Sequence, residues 1–226
     1  MATRNAARDF ALFLHGDYRK PDLPYYRSEC KGRTLIAVDG GYAFFEMTGL
    51  KPHVLIGDFD SLRAIPSDLT DIEVIEYRQA KDKTDGELAL MYCLDRGARV
   101  VTIVQPSFGE PDQFLGNLML LTLPDRGSNR TRKTAVRVVN PAYEVIPLRD
   151  TQCRLVNAIG DTVSIVPVGS RIIYSCKGTE FTCTERRIDL GSSQAMRNTV
   201  VRNPAYFRVK GTALLIHQFL RHRRKV

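Results

Sequence analysis

Along the first two thirds of the chain, short runs of β-branched and aliphatic residues alternate with longer stretches whose apolar positions recur every three or four residues. That alternation predicts strands and helices in turn. Strands are expected at Phe10–Leu14, Thr34–Val38, Val54–Ile56, Glu73–Tyr77 and Arg99–Val104, with a further extended pair at Ala135–Val139 and Glu144–Pro147. Helices are expected over Tyr42–Thr48, Asp85–Asp95 and Pro111–Leu121, and Gly49 and Gly97 stand where a C-terminal glycine belongs. From Asp150 the pattern changes to closely spaced extended runs, Thr162–Val166, Arg171–Ser175, Glu180–Thr184, Tyr206–Val209 and Ala213–Phe219, broken by glycines and prolines. The expected fold class is therefore α/β: an open, mostly parallel, doubly wound sheet over residues 1–149, then a small all-β sandwich over residues 150–226. A (β/α)₈ barrel is excluded because the helical alternation stops too early. A β domain of about 75 residues buries limited surface alone, so a homodimer is expected.

Charge refines this division. The chain of 226 residues carries 33 Lys and Arg against 25 Asp and Glu, a net charge of +8. Up to residue 149 the two signs balance at 20 each; from Asp150 on there are 13 basic residues against 5 acidic ones. Four of these basic residues, Arg221, Arg223, Arg224 and Lys225, lie in the last six positions and read as a solvated tail. Neither an RNA-binding aromatic signature nor zinc-finger spacing accompanies them, so nucleic acid is not expected as a partner. The five cysteines are odd in number and contain no C-x-x-C pair, which favours reduced thiols over a disulfide framework or zinc site. The polar stretch Met1–Asp9 and the short apolar run after it make neither a signal peptide nor a membrane span, and a cytoplasmic protein is expected. The histidines, His15, His53, His217 and His222, read as bystanders.

Three acidic clusters fall just after expected strands, where an open parallel sheet places its ligands. In Gly57-Asp58-Phe59-Asp60 the carboxylates stand two apart on an expected extended segment, so both can face one side while Phe59 faces the core. Such hard oxygen ligands suit Mg²⁺ better than zinc. The pair could instead cap the following turn, but beside two further clusters metal is the favoured reading. In Asp39-Gly40-Gly41 the glycines let backbone approach a ligand, and the helix start offers N–H groups to an anion; the alternative is a tight turn without a ligand. In Lys81-Asp82-Lys83-Thr84-Asp85, Lys81 and Lys83 can reach phosphate oxygens and Asp82 or Asp85 can hold metal. Thr84 and Glu87 form a capping box, which explains those two as structural. Neither common glycine-rich phosphate cradle occurs.

The stretches VDGGYAFFEMTGLKPHVLIGDFDSL and KDKTDGELAL resemble the thiamine pyrophosphokinase (thiamine diphosphokinase) family, as does FGEPDQFLGNLMLL and, more loosely, SIVPVG, KGTEF and LGSSQAMRN. The resemblance implies a Rossmann-like nucleotide domain, a thiamine-binding and dimerising β-sandwich, a homodimer with thiamine between subunits, and transfer of diphosphate from ATP to thiamine with release of AMP. Carried over by position, Asp58, Asp60 and Asp85 become the Mg²⁺-linked catalytic acids, and Asp39, Gly40 and Asp82 line the ATP phosphate region. Lys81 and Lys83 become phosphate contacts. Asp112, Gln113 and Asn117 match the family's nucleotide or loop-orienting positions, and Ser192 and Ser193 match a segment that approaches thiamine. Glu110 stands where the family has Arg, and Gln194 where it has Asn. The chain has no Trp, so stacking on thiamine would fall to a residue such as Tyr206 or Phe207. The rival readings are a related pyrophosphokinase acting on another hydroxyalkyl heterocycle, and a homologue that binds ligand without turnover.

Overall fold

The structure, a computed structural model, describes residues 8–59, 70–77, 82–107, 109–126 and 134–220. Asp60, Lys81 and the basic residues after 220 lie outside the described residues. The chain forms two compact units, residues 1–141 and 142–226. The expected division at 149/150 falls inside one strand, Tyr143–Leu155.

The described residues of unit 1 form the strands β1 (Asp9–Phe13), β2 (Thr34–Val38), β3 (Val54–Gly57), β4 (Glu73–Glu76), β5 (Val100–Val104) and β6 (Ala135–Asn140). All their described pairings are parallel, in the order β6-β5-β1-β2-β3-β4. Successive strands step one way from β1 to β4, and the chain then returns to place β5 on the other side of β1. That reversal opens a crevice beyond the carboxyl ends of β1 and β5. The central strands are buried because both faces are covered: α2 (Ala43–Thr48) brings Phe44 to stack on Phe13 at 4.4 Å, with Phe45 and Tyr26 in the same cluster. Tyr26 comes from α1 (Leu23–Glu29), a two-turn helix absent from the sequence expectation. It is too short to show a helical period, and its place is set by Tyr26, which is wholly buried, and by Glu29, which pairs with Arg33 at 2.8 Å and Arg137 at 2.7 Å. α3 (Asp85–Asp95) has the expected bounds, and α4 (Pro111–Met119) gives way to a 3₁₀ stretch, Leu120–Arg126, where the expected helix ran to Leu121.

Unit 2 is built from β7 (Tyr143–Leu155), β8 (Thr162–Pro167), β9 (Arg171–Lys177), β10 (Cys183–Asp189), β11 (Asn198–Thr199) and β12 (Ala205–Gln218), with every described pairing antiparallel. The two extended runs expected at 206–209 and 213–219 are one strand. Gly211 (φ 97) carries a bulge between Val209 and Thr212, and its N–H donates to Asp150 Oδ1 at 2.8 Å. β12 thereby pairs with β9 before the bulge and with β8 after it. The strand expected at Glu180–Thr184 begins only at Cys183. Asn198 holds the preceding loop, accepting from Phe181 N at 3.0 Å and donating to its carbonyl at 2.6 Å, so side-chain bonds replace a strand ladder there. All five cysteines are free thiols. Among the described residues no helix is long and apolar enough to cross a membrane.

In unit 2 the buried His217 lies between two carboxylates, with Nε2 2.8 Å from Asp161 Oδ2 and Nδ1 3.1 Å from Glu144 Oε1. Burial opposes the charged ring, but the bonds to Glu144 and Asp161 together outweigh it and hold the pKa above 6.5. A neutral ring donates through only one nitrogen. The stability contributed is therefore complete below the unfolded value of about 6.5 and is lost as pH rises through the higher folded value. Raising the pH from about 6 to about 9 should lower the melting temperature of the wild type more than that of His217→Gln; parallel pH profiles would contradict this.

Candidate active site

Strand ends, not strand faces, supply the site. Beyond the carboxyl ends of β1, β2, β3 and β5 lies a cavity of about 840 Å³, within the range of small-ligand sites. Two loops at the reversal point are knit together: Asp17 N donates to Ser107 Oγ at 3.2 Å, and Leu14 N to the Val104 carbonyl at 3.1 Å. α3 and α4 both begin at its rim, since Thr84, Asp85, Gly86, Glu110 and Gln113 are all lining residues. Two helix N-termini so placed favour an anion.

The electrostatics of the side chains run the other way. Asp17, Asp39, Asp58, Asp85 and Glu110 line the cavity among its described residues, with no Lys or Arg. Asp39 is the extreme case: it is 7% exposed, and its Oδ1 is buried without a hydrogen-bond partner. The backbone here is strained too. Asp39 (φ 46) at the end of β2 and Phe59 (φ 63) just beyond β3 are both left-handed, a conformation that costs a non-glycine residue roughly 1–2 kcal/mol. The segment around Phe59 is thus not extended as expected, because β3 ends at Gly57; Phe59 nevertheless joins the core cluster with Phe13 and Phe44.

The sequence candidates separate clearly. Asp39, Asp58, Asp85, Gln113 and Asn117 line the one cavity. Asn117 donates to Gln105 Oε1 at 2.8 Å and Gln105 Nε2 donates to the Ser107 carbonyl at 3.1 Å, tying α4 to the loop after β5. Asp112 is exposed, its Oδ1 accepting from Gln113 N at 2.8 Å. Asp82 is exposed, and Lys83 pairs with Glu87 at 3.3 Å; neither lines the cavity. Thr84 accepts from Glu87 N at 3.2 Å, the expected cap. Gly40 is not among the residues lining this cavity. A Cβ there would lie 1.8 Å from His15 Nδ1, so the glycine makes room for that ring. Ser192 and Ser193, in unit 2, line neither cavity described here, and Ser192 Oγ accepts from Gln194 N at 3.3 Å. His15, Gly16, Asp17, Gln105 and Ser107 line the site but escaped sequence reasoning. Their signal was position alone, directly after β1 and β5, and it could be read only with the strand order in hand.

A divalent cation fits this donor set: the oxygens are hard, and one is buried and unpartnered. Among the described residues no three His, Cys, Asp or Glu side chains converge closely enough to hold a metal by themselves. A cation here would be completed by water and substrate oxygens, the usual habit of Mg²⁺.

Comparison with known proteins gives a concordant result. Residues 28–138 match the family model of the thiamin pyrophosphokinase catalytic domain. A thiamine pyrophosphokinase of Bacillus subtilis (strain 168) is 36% identical over 107 residues, 45% of this chain and 48% of that protein, so the match spans about half of the curated relative. Among solved structures, thiamine pyrophosphokinase from Bacillus subtilis superposes with a TM-score of 0.79 at 21% identity, over 94% of this chain and 99% of that one. Thiamin pyrophosphokinase from Candida albicans gives 0.72 at 13% identity, over 94% and 89%. At these identities the superpositions establish a shared α/β fold.

Proposed function

We propose, from the match of residues 28–138 to the thiamin pyrophosphokinase catalytic-domain model, that this chain transfers diphosphate from ATP to thiamine, giving thiamine diphosphate and AMP. Unit 1 acts as the Rossmann-like nucleotide domain and unit 2 as the β-sandwich that binds thiamine and dimerises, in a cytoplasmic homodimer. The observation that carries the reading is the cavity itself: two helix N-termini suited to phosphate beside five carboxylates that would repel it unless a cation intervenes.

In this reading the hydroxyethyl oxygen of thiamine attacks the β-phosphorus of ATP in line, and the bond to the α-phosphate oxygen breaks as AMP leaves. Asp39, Asp58, Asp60 and Asp85 are the residues that would hold Mg²⁺, which neutralises charge on the phosphate oxygens when bound. The N-terminal amides of α3 and α4 orient the polyphosphate. Asn117 acts through Gln105, fixing the loop after β5 against which the nucleotide lies. A carboxylate of the cluster accepts the hydroxyl proton.

Glu110 opposes ATP from the cavity rim. Glu110→Gln should lower the KM for ATP by up to about five-fold, the effect of removing an exposed repulsion of roughly 1 kcal/mol or less, with kcat little changed; an unchanged or higher KM would contradict its placement near the phosphates. The function itself is tested by which alcohol supports AMP formation from Mg-ATP. Thiamine should support it and a hydroxymethyl pterin should not; the reverse result would assign the fold to the rival acceptor.

A further inference from the structure

Unit 2 has a cavity of its own, about 560 Å³ in volume. Arg154, Tyr206 and Lys177 are register partners across β7, β12 and β9, so they stand in one row on one face of the sheet. Two residues along β12, Arg208 stands between Gln152 and Ser175 in the next row on that face. The intervening row, Cys153, Phe207 and Cys176, turns the other way, with Phe207 buried at 1% exposure. β10 closes this face with a bulge: its register shifts between Cys183 and Arg186, Glu185 takes φ 48, and Glu185 N donates to Ser175 Oγ at 2.8 Å. Thr184 and Glu185 at the bulge both line the cavity, so a sheet face becomes concave here.

The charge of this cavity is opposite to that of the first. Arg154, Lys177 and Arg208 line it, and among the described residues no salt bridge reaches any of them, although the charge of Arg208 also acts on Glu185. Glu185, the one acidic lining residue described, is held by Lys210 Nζ at 2.9 Å. Tyr206, in the middle of the first row, is 50% exposed. Neighbouring strands hold paired Cα atoms about 5 Å apart, so a ring lying on Tyr206 comes within reach of cations on both sides. Thiamine is cationic and would be repelled, which removes Tyr206 as its stacking partner; Phe207 is removed by burial. A planar ring that carries a phosphate satisfies both features, the ring stacking on tyrosine and the phosphate taking charge-assisted hydrogen bonds from guanidinium and ammonium groups.

We propose that this cavity is a second ligand site, which binds an aromatic phosphate monoester with its ring on Tyr206 and its phosphate among Arg154, Lys177 and Arg208. The site is independent of the chemistry assigned to unit 1. Its test uses flavin mononucleotide as a fluorescent probe of that class, titrated with the full chain. Saturable quenching is expected, weakened about five-fold or more by Tyr206→Ala and by Arg208→Gln, and unaffected by saturating Mg-ATP or by Asp39→Asn. Tyr206 and Arg208 are exposed, and circular dichroism melts check that each variant is folded; Lys177→Gln supplies a third variant of this face. Absence of saturable binding, or binding indifferent to all three variants, would overturn the proposal. Displacement by Mg-ATP would place the probe in unit 1 and also overturn it. Displacement by oligothymidylate with an affinity that grows with its length would give the face to nucleic acid instead. Variants that dissociate a dimer without altering probe binding would give it to a second copy of the chain.

Discussion

Asp39→Asn is expected to raise the melting temperature of the ligand-free protein while cutting turnover by about 10²–10³-fold. The two effects have one cause. A carboxylate oxygen buried without a partner costs roughly 1–3 kcal/mol or more, and at Asp39 Oδ1 nothing among the described residues compensates it. Asparagine has the same size, tolerates the left-handed backbone that Asp39 adopts, and removes the charge. At 2–4 °C per kcal/mol for a chain of about this length, the gain should be several degrees. On the proposed function the same change would remove a ligand for the cation that lets polyphosphate enter an acidic cavity, so the rise in melting temperature on adding Mg-ATP should shrink with the rate. Thermal melts with and without Mg-ATP, beside initial rates, check both halves. A variant less stable than wild type with full activity would mean that the buried oxygen serves the fold alone.

Gly41→Ala should be strongly destabilising, by about 3 kcal/mol or more, whereas Gly40→Ala should cost far less. An added Cβ at Gly41 would lie 1.8 Å from the Phe13 carbonyl oxygen, backbone at the end of the central strand β1. That oxygen can retreat only by dragging β1 away from β2 and β5, which pair with Phe13 on either side. At Gly40 the obstacle is the exposed His15 ring, which can rotate aside. Gly40→Ala should therefore keep its melting temperature near wild type while moving His15 within the cavity, and any loss of activity there would report on His15. Chemical denaturation of both variants separates them; equal losses of stability would contradict the geometry.

The alternation of strands and helices was legible because parallel strands buried on both faces read as short aliphatic runs, and α3 had a cap that marks its start: Thr84 receives Glu87 N as its sequence spacing implied. The resemblance read from the acidic motifs was borne out by the family match over residues 28–138. Other features depend on tertiary contacts with no local trace. α1 is fixed by the buried Tyr26 ring and by the buried Glu29, which pairs with Arg33 and Arg137, and the loop before β10 by the amide of Asn198. The continuity of β12 through Gly211 could not be read, since a glycine between two extended runs marks a turn as readily as a bulge. Within the site, Asp39, Asp58 and Asp85 could be named by type and position but Asp17 could not, while Lys83 turns to Glu87 and Gly40 serves His15. The residues after β1 and β5 carry no distinctive chemistry, and only the reversal of strand order brings them to the cavity.

The most direct test of the central claim is the stoichiometry of AMP and thiamine diphosphate formed from Mg-ATP, measured with and without thiamine, for the wild type and Asp39→Asn. Equimolar AMP and thiamine diphosphate from the wild type, dependent on both thiamine and Mg²⁺ and reduced at least a hundred-fold in the variant, is the predicted result. Release of ADP in place of AMP, or AMP formed at the same rate without thiamine, would contradict it.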